Sequence, residues 1–327
     1  MTTTDKTQVN DAGETRRLRW WARLVLVGII VASGVTESAL RYLRYDEFPI
    51  YDVDPKIGYI PKPNQTGSFA GRYSWTLNER SMLNGPWVPD REHGILVISD
   101  SLVWGEVKMA ARDKLGACLQ TTVGVRYHIW SVGAGSWANL NELEYLKRNE
   151  DVVRNIYGLI WIVNSGDFGN RSVWSSDYTH PRRRPSILLG YLIGKVSVPW
   201  MDRLLAGFAG QHDTRSEGDA EVSAETAQEL RAWLKRTPPD LLQHSLFVWY
   251  PDAAEFKARS AATSHLLSAV RGIVEAEGLR FVDLRGESRW RSNYYRDPIH
   301  PSPEGNLVLA SILQDHLPSE DRSTTPP

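Results

Sequence analysis

A serine, a histidine and an aspartate in this chain have the types and surroundings that acyl-transfer chemistry requires. Ser101 closes the run Gly94-Ile95-Leu96-Val97-Ile98-Ser99-Asp100, which reads as a buried strand delivering a hydroxyl at its C-terminal tip. About two hundred residues later, Asp297-Pro298-Ile299-His300-Pro301 sets a carboxylate and an imidazole in one proline-held turn. A serine hydroxyl is a weak nucleophile until an imidazole takes its proton, and the imidazole needs a carboxylate to fix its tautomer. Each motif alone has a plainer reading. Serines are common at strand ends, and Asp-x-x-His also occurs as a helix N-cap followed by a histidine. It is the pair, each following the right kind of element, that points to a nucleophile, a general base and its orienting acid.

These residues resemble the SGNH (GDSL-like) hydrolases. That family opens with Gly-Asp-Ser-x-x-x-Gly, and here Ser99 replaces the first glycine while Asp100, Ser101 and Gly105 fit. Its last block, Asp-x-x-His, is matched by Asp297 and His300. The resemblance implies Ser101 as nucleophile, His300 as general base and Asp297 as its orienter. In the α/β-hydrolases the serine sits in Gly-x-Ser-x-Gly and the acid lies far from the histidine; neither holds here. The resemblance also implies an oxyanion hole built from the N–H of Ser101, a backbone N–H of a second block and an Asn side chain of a third. The second block is Ser131-Val132-Gly133-Ala134-Gly135-Ser136, with Gly135 as the donor and Ser136 as the one-residue alternative. The third departs from the pattern. In Asn164-Ser165-Gly166-Asp167 a gapless reading puts Gly166 where the family has Asn, leaving Asn164 as the nearest amide.

These groups need a rigid frame. Ile95–Ser99, Val125–Trp130, Leu159–Val163, Leu246–Tyr250 and Phe281–Leu284 read as strands, and Ala110–Leu119, Asn139–Asn149, Ala253–Glu277 and Pro303–Gln314 as helices. Apolar strands alternating with helices predict an α/β fold, a parallel sheet covered on both faces. The resemblance makes it a three-layer α/β/α, flavodoxin-like sheet. Ser101, Gly135, Asn164 and Asp167 all follow strand C-termini, where such sheets place their sites.

Before this domain (residues 93–318) the chain has three other parts. Residues 1–19 form a polar, arginine-rich tail, disordered over 1–15, and expected in the cytoplasm by the positive-inside rule. Residues 20–40 form a transmembrane signal anchor, with Leu24–Val35 free of charge, Trp20 and Trp21 at one end, and no small-x-small cleavage site. Residues 41–92 form an irregular lead-in with short β pieces. The anchor predicts a single-pass protein of the cytoplasmic (inner) membrane with its catalytic domain on the periplasmic or extracytoplasmic side.

Between Asp167 and Leu246 lies an insertion (168–245). Its Trp174, Tyr178, Arg182, Arg183 and Arg184 form a candidate substrate rim, since aromatic faces suit sugars and arginines suit anions. The alternative is a solvated charge run beside core aromatics. Ser186–Phe208 reads as an apolar helix, Ile187–Ile193 could rest on a membrane surface, Gln211–Thr226 reads as flexible, and 319–327 as a disordered tail. The formal net charge of −1 gives no basic field for nucleic acid. A single cysteine, Cys118, excludes an intrachain disulfide and Cys/His zinc motifs. No cofactor or metal is implied. The expected activity is that of a serine esterase on O-acyl, above all acetyl, esters of an envelope or secreted polysaccharide. A polysaccharide O-acetyltransferase with the same triad, working with a membrane acyl-transfer or export complex, is one alternative. A non-catalytic carbohydrate-binding scaffold is the other.

Overall fold

The computed structural model describes residues 6–197, 222–258 and 262–318. The parts of the expected flexible segment and C-terminal tail in 198–221 and 319–327 lie outside them. A long helix, α1 (Lys6–Tyr42), leads the chain. It begins well inside the stretch that polarity alone predicts to be disordered. Its Arg16–Tyr42 portion is long and apolar enough to cross a membrane, and its most apolar window is not buried against the rest of the protein.

The lead-in is more regular than its sequence suggests. β1 (Tyr51–Asp54) pairs antiparallel with β2 (Gly58–Pro61), and β3 (Gln65–Phe69) with β4 (Tyr73–Leu77). The main sheet follows, with its helices in sequence: β5 (Asp90–Ile98), α2 (Ser101–Trp104), α3 (Leu115–Val123), β6 (His128–Val132), α4 (Asn139–Arg148), α5 (Glu150–Val153) and β7 (Ile156–Val163). After the loops of the insertion come α6 (Leu188–Ser197), α7 (Ala224–Arg236), α8 (Pro239–Gln243), β8 (Leu246–Trp249), α9 (Ala253–Ala258), α10 (Ala262–Ala276), β9 (Arg280–Asp283) and α11 (Pro303–His316).

Five strands form one parallel sheet in the order β6-β5-β7-β8-β9. Their side chains alternate between two apolar layers. Leu96, Ile98, Trp161 and Phe247 face one layer with α4, α7 and α10. Ile95, Val97, Ile160 and Val248 face the other with α3 and α11. Strands buried on both faces read as unbroken apolar runs, which is why they are legible in the sequence. The chain leaves β5 toward β6 on one side and returns to β7 on the other. That reversal opens a crevice at the strand C-termini, the place where open α/β sheets bind ligands.

Boundaries move for local reasons. β5 starts at Asp90 because its ladder to β7 carries an irregularity between Asp90 and Ile95, where Asp90 accepts the N–H of His93 at 2.8 Å. The helix expected from Ala110 starts only at Leu115, since Ala111–Asp113 is a 3-10 turn and Lys114 is extended.

Candidate active site

Asp100 ends the turn after β5 and caps α2, its carboxylate accepting the Leu102 N–H at 2.9 Å. This cap sets Ser101 at the first helical position, where no preceding turn claims its N–H. Gly105 closes α2 at φ +66°, and its N–H donates to Ser101 O at 2.8 Å. That left-handed conformation suits the glycine of the first motif. Ser99, standing for the motif's first glycine, is fully buried, and its N–H reaches Val132 O at 3.3 Å.

The far motif folds as a tight turn. Arg296 N–H donates to His300 O at 2.8 Å, and Tyr295 bridges Pro301. Tyr295 Oη donates to Pro251 O at 2.6 Å, and Ala253 N–H to Pro298 O at 2.8 Å, which ties the turn to the end of β8. Asp297 Oδ1 accepts the N–H groups of Ile299 and His300 at 3.0 and 2.8 Å. Both its oxygens lie 2.9 Å from His300 Nδ1. Burial opposes ionisation of Asp297, but these N–H groups and the imidazole outweigh it and hold the carboxyl down at about 2. A carboxylate at Nδ1 keeps the proton there and leaves Nε2 as the acceptor. Nε2 lies 2.8 Å from Ser101 Oγ. Ser101, His300 and Asp297 therefore form one continuous hydrogen-bonded chain.

The second block forms the loop after β6. A Cβ on Gly133 would lie 2.2 Å from Ser99 O, so glycine there lets the loops after β5 and β6 touch. The Gly135 carbonyl accepts two hydrogen bonds, from Tyr59 Oη at 2.6 Å and from His180 Nε2 at 3.1 Å. His180 lies against the Tyr59 ring (centroids 3.9 Å apart), with Tyr51 edge-on at 5.0 Å. Burial drives the imidazole down to about 4, so it is neutral at pH 7. Neither Tyr59 nor His180 is marked by any motif. In a trans peptide the N–H points opposite to the C=O, so the N–H of Ser136 faces away from these two donors. Ser136 itself is left-handed, at φ +62°.

Asn164 is turned inward. Its Nδ2 donates to Asp167 Oδ1 at 3.1 Å, its Oδ1 accepts the Gly166 N–H at 2.8 Å, and its own N–H donates to Asp167 Oδ2 at 2.8 Å. These bonds close a capping box on the short turn Ser165–Phe168; none runs to the triad. Gly166 is exposed, and a Cβ there would meet only Asn164 Oδ1, at 3.0 Å.

Three acids lie beneath the loops. Asp100, Glu142 and Asp167 are all buried. Burial raises the Asp100 carboxyl against the pull of its hydrogen bonds. Burial and then the charge of Asp100 raise Asp167 well above its ordinary range. Burial lifts Glu142 to about 8, although Trp161 Nε1 donates to it at 2.6 Å.

The expected rim is mostly committed to internal contacts. Arg182 stacks over Trp174 at 4.1 Å and pairs with Asp177 at 3.1 Å. Trp174 Nε1 donates to His180 O at 2.8 Å. Tyr178 stacks on Tyr191 of α6. Arg184 donates to the carbonyls of Asp46 and Phe48. Arg183 is exposed. Among the described residues no group of three or more His, Cys, Asp or Glu could hold a metal.

No family model matches the chain, and no curated protein does. Solved structures similar to it include a carbohydrate acetylesterase from Sinorhizobium meliloti, at 15% identity and a TM-score of 0.37, spanning 68% of this chain and 97% of that one. An acetylxylan esterase from Geobacillus stearothermophilus is similar at 14% identity and a TM-score of 0.38, over 69% of this chain and 95% of that one. A lipolytic G-D-S-L protein from Veillonella parvula is similar at 7% identity and a TM-score of 0.41, over 68% and 97%. In the order of its motifs, the chain resembles the SGNH (GDSL-like) hydrolases.

Proposed function

We propose that this chain is a membrane-anchored serine esterase of SGNH type that acts on O-acyl, chiefly acetyl, esters of an envelope or secreted polysaccharide. The observation that carries the reading is the hydrogen-bonded chain Ser101–His300–Asp297 at the C-terminal edge of the sheet. As Ser101 Oγ attacks the ester carbonyl, His300 Nε2 takes its proton, and Asp297 stabilises the imidazolium. The tetrahedral oxyanion is met by the N–H of Ser101 and an N–H of the Gly135–Ser136 loop. The fixed Gly135 carbonyl favours Ser136 over Gly135 as that second donor. Collapse breaks the bond to the sugar oxygen, which takes the proton from His300 and departs as a hydroxyl, leaving an acyl-Ser101 ester. Water then attacks this ester through the same base, releasing the acid. A second sugar hydroxyl in place of water makes the reaction an acetyl transfer.

Arg16–Tyr42 supports a single-pass anchor. On the orientation expected from its arginines, the catalytic body lies on the extracytoplasmic side of the inner membrane. A membrane acyl-transfer or polysaccharide export complex is the partner such an arrangement suits.

The test is turnover of a chromogenic acetyl ester by the full chain, with and without an oligosaccharide acceptor. Ser101→Ala should lower the rate by about a thousandfold or more without changing the melting temperature. Undiminished turnover in that variant would remove Ser101 from the mechanism. Acetyl recovered on the sugar identifies a transferase, and free acetate an esterase.

A further inference from the structure

A cationic surface other than the expected Arg182–Arg184 run adjoins the catalytic turn. A cavity of about 600 Å³ opens between the turn of the β3–β4 hairpin and the segment that follows α2. Four cations line it, Arg72, Lys108, Arg112 and Arg296, against two carboxylates, Glu106 and Asp113. This excess stands out on a chain whose formal net charge is −1. Both carboxylates already have partners, Glu106 in Arg296 at 3.1 Å and Asp113 in Arg112 at 3.7 Å. Arg72 and Lys108 have no carboxylate partner among the described residues. Lys108 also lies close enough to Lys195 of α6 for their charges to repel. Arg296 joins the cavity to the catalytic turn, since its guanidinium is 3.3 Å from Asp297 Oδ2.

A second cavity, of about 310 Å³, adjoins the first and shares Ser74, Ala111 and Arg112 with it. Lys114 lines it, nearly all of its side chain buried, with Nζ 2.9 Å from Trp104 O and over the Trp104 ring. No carboxylate pairs with it among the described residues. Burial alone pulls this ammonium down to about 8. A buried cation without a counterion is costly unless something anionic approaches it. Together the two cavities form a groove that leads from the catalytic turn past five cations, with Tyr73 on its wall.

We propose that this groove binds an anionic glycan strand, its sugar carboxylates paired with Arg72, Lys108, Arg112 and Lys114, and leads an ester-bearing residue to Ser101. This rests on the esterase reading for the role of Ser101; the binding itself does not. Two adjoining cavities suit a polymer longer than either, and cations set along both suit a repeating anion. Its position beside Asp297 makes the bound strand the substrate or the acceptor.

The experiment measures binding of a hexauronate, a neutral hexasaccharide and a polyphosphate of matched charge to the full chain in zwitterionic nanodiscs. The Ser101→Ala variant is used, so that no turnover complicates the reading. The hexauronate should bind at least about tenfold more tightly than the neutral sugar, and this preference should shrink as salt rises. Lys108→Gln with Arg112→Gln should weaken hexauronate binding about tenfold, and Arg112→Lys should retain most of it. Arg154→Gln, a cation outside the groove, serves as the control. A matched melting temperature shows that the double variant folds. Equal binding of the neutral sugar, equal binding of polyphosphate, or indifference to the double substitution would each overturn the proposal. Hexauronate binding without any Ser101-dependent ester turnover in the unsubstituted chain would keep the groove and remove the esterase reading. Turnover without binding would do the reverse.

Discussion

The two donors on the Gly135 carbonyl do work that no motif advertises. Tyr59 comes from 76 positions before it and His180 from 45 after. They hold one peptide plane in the loop proposed to set an oxyanion donor, where small misplacements are costly to rate. Tyr59→Phe and His180→Ala should each lower kcat about tenfold or more with little change in KM. The double variant should lose less than the product of the two. Steady-state kinetics on a small acetyl ester checks both, and unchanged kcat would mean that the loop holds itself. The meeting of Ser101, Asp297 and His300 was legible because it is written in adjacent residues: a serine ending an apolar run, and an aspartate and a histidine sharing one turn. Tyr59 and His180 were not legible. Each is a lone ring in aromatic-rich sequence, and only the fold brings them to the same oxygen. Arg182 shows the opposite side of sequence reading. An arginine beside aromatics suggests a ligand, and the fold adds contacts to Asp177 and the Trp174 face that the sequence does not show.

At the scale of elements, α4 and β7 enclose an acid that the surrounding structure keeps protonated. Glu142 ordinarily titrates near 4.5, and burial lifts it to about 8 in the folded state. Between those values the folded chain holds a proton that the unfolded chain has lost, so stability falls as pH rises through that window. Glu142→Gln keeps the acceptor for the Trp161 indole and removes the titration. It should flatten the decline in melting temperature between about pH 5 and pH 8, and stabilise the protein most at the upper end. A decline as steep as before would place the linked proton elsewhere, on Asp100 or Asp167. The five strands were legible because burial on both faces leaves them uniformly apolar. The hairpins β1–β2 and β3–β4 were not. Gly67, Asn64 and Pro61 interrupt their apolar pattern, and their register rests on contacts with distant loops, such as Trp137 Nε1 to Tyr59 O at 2.7 Å and Tyr51 N–H to Pro181 O at 2.8 Å.

Across the whole molecule, the end of α1 is fastened to the body by α6. Glu37 accepts the N–H groups of Leu188 and Leu189 at 2.9 and 2.7 Å, a side-chain cap supplied from another helix. Arg41 pairs with Glu37 at 2.7 Å and donates to the carbonyls of Pro185 and Ser186, each at 3.0 Å. Losing a helix cap costs about 0.5–2 kcal/mol. Glu37→Ala should therefore speed hydrogen exchange at Leu188 and Leu189 while leaving the sheet amides protected. Equal exchange would show that α6 is held by its apolar contacts with Phe48 and Phe69 alone. A charge near the end of an apolar run reads in the sequence as a snorkelling residue. Its use as a cap for a helix some 150 positions later becomes visible only in the fold.

That fastening has a mechanical consequence. Arg16–Tyr42 is about 40 Å of rigid rod, and its last two turns are bolted to the wall beside the groove instead of running into a free tether. The rod and the groove then share one set of angles. If the rod leans, the groove leans with it; if the rod turns about its axis, the groove mouth sweeps around like a vane on a shaft. Whatever sets the posture of the rod, its neighbours included, also aims the opening of that groove.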